Sequence, residues 1–162
     1  MKRAIPTAKS TYKSPFKPIY IFDFVIMGVL GVRFTEISAR GGKAVKGDIE
    51  VSTSLPNITS VRTVPVGSGK DKREILMMDF GYRATYMPIE AKIELKGELS
   101  FIDDEPQKVM QQWKKDKKLD QKISLTVINF LIKKCAVESI KLADDLQLPA
   151  PVKLPEVRAK KD

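Results

Sequence analysis

The chain has no histidine and a single cysteine, Cys135, in 162 residues. Without histidine it lacks the commonest general base and the commonest metal ligand, and no Ser-His or Cys-His nucleophile pair can be built. One cysteine excludes an internal disulfide and suits a reducing cytoplasm. With no histidine beside it, it also rules out a tetrahedral zinc site made by this chain alone. No apolar run reaches the roughly 20 residues that a bilayer-spanning helix takes, so no stable membrane insertion is expected. An enzyme is therefore the least expected class, and no metal or cofactor is expected. What is present is an ordinary globular mixture, 43% apolar and 30% charged, of a length that argues for one domain with tails.

The formal charge is +9 and it is unevenly placed. Residues 1–18 carry Lys2, Arg3, Lys9, Lys13 and Lys17 with no acid, and residues 153–162 carry four basic side chains against Glu156 and Asp162. The dense internal cluster is Lys114, Lys115, Lys117, Lys118 and Lys122, interleaved with Asp116 and Asp120. Mixed-sign runs of this kind usually face water. Phosphate contact is the sharper reading, but it wants exposed aromatics beside the lysines, and Trp113 sits at an apolar helical position. Nucleic acid is accordingly not the expected partner.

Met1–Pro18 is too poor in apolar residues to fold alone, and residues 1–24 read as a basic flexible extension. The run Ile19–Val32 that follows imitates a signal peptide. However, Asp23 interrupts it, no small-x-small cleavage site follows, and it leads straight into strand-like text, so a buried strand is the expectation. Met27 is a candidate natural start.

From Gly28 to Phe101 the apolar period is two. Val32, Phe34 and Ile37-Ser38 form a first extended segment, closed by Arg40-Gly41-Gly42-Lys43. The second runs Gly47–Leu55, is broken by Pro56-Asn57 and resumes over Ile58–Val66. The third, Glu74–Tyr86, places Leu76, Met78, Phe80, Tyr82, Ala84 and Tyr86 on one face. The fourth, Ala91–Phe101, alternates Ala91, Ile93, Leu95, Gly97, Leu99 and Phe101 with Lys92, Glu94, Lys96, Glu98 and Ser100. Strict alternation of this kind predicts antiparallel strands with one covered and one wet face.

Asp103-Asp104-Glu105-Pro106 then starts a short helix carrying Val109, Met110 and Trp113. Asp120 caps a long one over Gln121–Leu146. Two apolar rows are expected on it: Ile128, Ile132, Cys135, Leu142 and Leu146, and Ile123, Val127, Phe130, Val137 and Ile140. One sheet does not cover so much apolar circumference, which calls for a second copy of the chain. The expected contact between copies is Phe34 of the first strand with Ile128, Ile132, Cys135 and Leu142. The predicted fold class is thus α+β, a four-stranded antiparallel sheet followed by a short and a long helix. A proline-punctuated tail, Leu148–Pro155, ends it.

Three motifs are set aside. Gly67-Ser68-Gly69-Lys70 lacks the first glycine of a phosphate loop and has Asp71 where Ser or Thr holds magnesium. Asn57-Ile58-Thr59 matches a glycosylation acceptor that matters only outside the cytoplasm. Cys135 reads as a small core residue.

Strands, short helix, long helix and proline-rich end follow the order of the SecB family of export chaperones. Phe34-Thr35-Glu36-Ile37-Ser38 resembles that family's aromatic-Thr-x-(Asp)-Ile-Ser stretch, and Leu146-Gln147-Leu148-Pro149-Ala150-Pro151-Val152 resembles its Gln-Leu-x-Leu-x-Pro-Val segment. The resemblance spans residues 25–157 and leaves 158–162 as a basic tail. It implies an ATP-independent cytoplasmic holdase for unfolded proteins, a dimer or tetramer with its helices between two sheets, and clients held in apolar grooves. Leu55, Ile58, Val61 and Trp113 are the candidate groove residues, although a plain core role is the commoner one for such side chains, since exposed apolar patches are the exception. The family's bacterial members are acidic and dock their translocase motor through acidic sheet residues. This chain is basic, so its partner is an export substrate or a specific protein such as a toxin. A basic nucleic-acid- or ribosome-associated protein is the alternative function.

Overall fold

The computed structural model describes residues 28–153. The basic extension, most of the Ile19–Val32 run and the tail from residue 154 lie outside them. Five strands come first, β1 (Gly28–Arg40), β2 (Glu50–Thr53), β3 (Asn57–Val66), β4 (Arg73–Met87) and β5 (Ala91–Ile102). The helices α1 (Pro106–Asp116) and α2 (Gln121–Asp145) follow. The fold is α+β, with an antiparallel sheet of five strands rather than four. β1 pairs with β5 and β5 with β4, while β2 and β3 both pair along the outer edge of β4. The expected second strand is split because Pro56, which has no N–H to give a ladder, is buried at the break. Pairing with β4 persists up to Ser54, whose N–H donates to the Arg83 carbonyl, and restarts at Asn57 opposite Gly81.

The central hairpin follows its alternation closely. Leu76, Met78, Phe80, Tyr82, Ala84 and Tyr86 of β4 and Ala91, Ile93, Leu95, Leu99 and Phe101 of β5 are all buried on the helix side. β1 breaks strict alternation twice. Register shifts between Val29 and Gly31 and between Phe34 and Glu36 insert one extra residue each, so that Val29, Val32, Phe34 and Ile37 all lie opposite inward-facing positions of β5. Gly97 sits opposite both Phe34 and Phe80, whose rings meet edge to face at 6.0 Å and 70°. A Cβ at Gly97 would collide with the Arg33 carbonyl oxygen and stand 2.8 Å from the Phe80 ring.

Among the described residues the other face of the sheet carries no helix. It is laced with ion pairs: Asp79 accepts from Ser60 and Arg62, Arg62 also reaches Glu98 at 2.6 Å, and Glu98 accepts from Arg33. Arg83 and Lys92 meet Glu94, and Lys96 meets Glu36. The guanidinium of Arg33, then that of Arg62, holds the Glu98 carboxyl below its usual pKa. Partial burial pulls Asp79 upward, but the Ser60 hydroxyl and Arg62 outweigh it and leave Asp79 lowered as well.

α1 lies over β3 and β4, and α2 over β1 and β5. α1 starts as expected with an acidic cap residue, Glu105, and proline in its first turn; Glu105 makes no side-chain cap bond, while Asp103, two residues before it, accepts from the Glu105 N–H through Oδ1 at 2.8 Å. Asp120 does cap α2, accepting from the Lys122 N–H at 3.0 Å.

Two predictions follow from this packing. Gly97→Ala is expected to destabilise the protein by about 1–3 kcal/mol, because the Arg33 backbone and the Phe80 ring must both move; a denaturant midpoint matching wild type would refute it. The lowered Glu98 and Asp79 contribute stability that is complete above the unfolded carboxylate range, about pH 4, and is lost as pH falls through their folded values. Thermal melts should therefore drop on acidification below that range, and less steeply in Glu98→Gln than in wild type.

Candidate functional site

A helix that meets a sheet through residues four apart presents a contact line that winds, since four residues turn about 40° past a full turn. In α2 that line is Ile123, Val127, Leu131, Cys135, Ser139 and Ala143, all buried. It takes members from both rows expected from the sequence, and Leu131, Ser139 and Ala143 belonged to neither. The spacing of four from Ile123 was the available signal, masked by the many other aliphatics around it.

Either side of this line the helix is less covered. One flank, one residue on, is Ser124, Ile128, Ile132, Ala136 and Ile140, half-buried except Ile132 at 37% exposure. The outermost row contains Leu125 at 57% and Val137 at 61% exposure, with Asn129, Lys133 and Lys141 between and after them. On the other flank Phe130 and Leu142 are half-buried against the core, and the Lys134 ammonium lies 5.6 Å over the Phe130 ring.

The residues proposed from sequence separate into three places. Leu55 stands 71% exposed at the sheet edge, beside the Pro56 break. Ile58 is half-buried against the core, and Val61 and Trp113 are buried within it, between β3, β4 and α1, so neither offers its side chain to the surface. Cys135 is likewise fully buried toward the sheet, and Phe34 is half-buried against Phe80. Ile128 and Ile132 share the uncharged flank of α2, while Leu142 is on the opposite flank. The sheet therefore does not gather Leu55 and the α2 residues into one groove: Leu55 lies on the β2–β3 edge and α2 lies over β1 and β5.

Beneath α2 the small residues Cys135, Ser139 and Ala143 leave room for two tyrosines of β4. Burial raises the Tyr82 hydroxyl pKa although the Ser139 side chain opposes it, and burial pushes Tyr86 to about 12. The Tyr86 hydroxyl has no hydrogen-bond partner among the described residues. Burial also pushes the Cys135 thiol to about 12. At neutral pH all three are protonated, so this cluster is packing rather than a nucleophile and its base. Among the described residues no three carboxylate or thiol groups converge as metal ligands, and no helix is long and apolar enough to cross a membrane.

No protein-family model matches this chain. Neither does any curated protein or solved structure. The surface itself is therefore the guide to what the protein does; among the described residues its exposed large aliphatics include Leu55 at the sheet edge, Leu30 of β1, Met87 of β4, and Leu125, Ile132 and Val137 along α2.

The buried Cys135 gives a direct check on the winding contact. A thiol reagent at neutral pH should leave the native protein unlabelled and modify it fully in denaturant. Rapid labelling of the native protein would show that α2 does not pack through Cys135.

Proposed function

We propose that this protein is an ATP-independent holdase, a cytoplasmic binding module that keeps unfolded or partly folded proteins from aggregating and works as a dimer or tetramer, in protein export or with a dedicated client. The observation that carries the proposal is α2, a helix of 25 residues whose fully buried side chains form one row, with Leu125, Ile132 and Val137 left in solvent. Apolar side chains clustered on one exposed helix favour a polypeptide partner, because each contributes on the order of 1–2 kcal/mol when its remaining surface is covered.

The rows of α2 divide the work. From Ser124 to Ile140 the flank containing Ile128 and Ile132 carries no charge. In a two-fold contact each copy offers the same patch, so an uncharged patch meets itself without repulsion. This suits self-assembly. The outermost row interleaves Lys133 and Lys141 with its aliphatics, and two copies facing each other there would set lysine against lysine. That row, with Leu55 at the sheet edge, is left for the client. The strand-then-helix order and the two short stretches resembling the SecB family support the same reading.

Light scattering on the full chain tests it. The expected particle is a multiple of the 18.2 kDa protomer, and Ile132→Asp, at an exposed position that leaves the core untouched, should shift it toward monomer. Wild type should also suppress aggregation of a chemically unfolded client at near-stoichiometric ratio without nucleotide. A strictly monomeric wild type with no effect on aggregation would overturn the proposal.

A further inference from the structure

Among the described residues the basic side chains of the open sheet face and those of the stretch from the end of α1 into α2 differ in how they are paired. On the open face of the sheet Arg33, Arg62, Arg83, Lys92 and Lys96 are each matched to a carboxylate. Between Lys114 and Lys134 there are seven lysines and only two acids, Asp116 and Asp120. None of those seven lysines is in an ion pair among the described residues. One of the two acids is committed elsewhere, since Asp120 caps α2.

These lysines are set among the exposed aliphatics. Lys122 and Leu125 are three residues apart on α2, and Lys133 and Lys134 are four and three residues before Val137, so each pair shares a patch of helix surface. Lys114, Lys115, Lys117 and Lys118, all exposed, lie at the end of α1 and in the turn that leads into α2. A surface that is cationic and aliphatic at once complements a chain segment that is acidic and aliphatic at once.

We propose that the outward face of α2, with the α1–α2 turn, selects acidic amphipathic segments of its polypeptide clients. This inference rests on the holdase reading and gives its client class. Single-stranded RNA fits the surface less well. Stacking needs an open aromatic face, and Trp113 is buried with the Lys117 ammonium over its ring at 5.8 Å. No arginine lies in Lys114–Lys134 to grip phosphates in a bidentate fork. Charge complementarity to a peptide needs neither, and it rejects basic segments by like-charge repulsion.

The test uses the full chain and three fluorescent peptides of one length and one leucine content, differing only in whether their polar positions are glutamate, glutamine or lysine. The glutamate peptide is expected to bind roughly tenfold tighter than the lysine peptide at low salt, a preference that shrinks as salt screens it. A variant combining Lys118→Gln, Lys122→Gln and Lys133→Gln, all at exposed positions, should lose that preference while keeping its circular dichroism and its affinity for the glutamine peptide. Equal binding of the three peptides, or an unchanged preference in the variant, overturns this inference alone and leaves the holdase reading standing. Failure of all three to bind overturns both. Displacement of the glutamate peptide by single-stranded RNA or by anionic vesicles at lower concentration than by unlabelled peptide assigns the surface to that partner and overturns the inference.

Discussion

The winding contact between α2 and the sheet governs both the core and the surface. Because Ile123, Val127, Leu131, Cys135, Ser139 and Ala143 follow one another every four residues, the buried side of the helix turns steadily from its first turn to its last. A residue that faces outward near the start would face inward near the end. Leu125, two residues past Ile123, is as far from the sheet as the helix allows, and Val137 stands in the same relation to Cys135. The contact narrows as it goes, from Ile, Val and Leu to Cys, Ser and Ala, and the tyrosines of β4 fill the space those small side chains leave. Among the described residues the Tyr86 hydroxyl is buried there without a hydrogen-bond partner, a cost that the surrounding packing offsets.

That geometry also explains what could be read from the chain and what could not. The strands β4 and β5 were legible because the sheet has one dry and one wet face, so every second residue reports its side. β1 was legible only in part. Phe34 and Ile37 are three apart, which period two cannot place on one face, and the extra residue near Thr35 that reconciles them leaves no mark in composition. The division of the expected second strand turned on Pro56, which was visible, but that both pieces would pair along one edge of β4 is a tertiary fact. For α2 the apolar abundance was evident and its arrangement was not. A fixed-face view sorted the aliphatics into two stripes, whereas a twisted sheet takes one oblique stripe that crosses both. Part of the apparent excess is thus consumed within the protomer, and Leu125, Ile132 and Val137 are what remains outside.

The candidate groove residues were the least legible because aliphatic side chains look alike in sequence whether they line a surface or a core. Val61 and Trp113 went inward because α1 packs on β3 and β4 there; the apolar helical position of Trp113 hinted at it, and nothing local to Val61 did. Leu55 stayed outside for a reason that is local: it precedes the proline that takes the strand out of pairing, so it belongs neither to β2 nor to β3.

The two faces of the sheet then follow from one economy of charge. Strands that alternate must put polar residues on the wet face, and there the carboxylates and cations lie across from one another at cross-strand distance and neutralise in place. A helix surface offers a pairing only at spacings of three and four, and from Lys122 to Val137 α2 has no acid at all with which to use them. Among the described residues those lysines meet no carboxylate, since Glu138, four residues after Lys134, is taken by Lys141, and the same stretch holds the most exposed aliphatics of α2. Paired charges leave the sheet face little to offer a charged partner, and the unpaired lysines beside uncovered aliphatics are the basis for proposing the helix face as the side that takes a client.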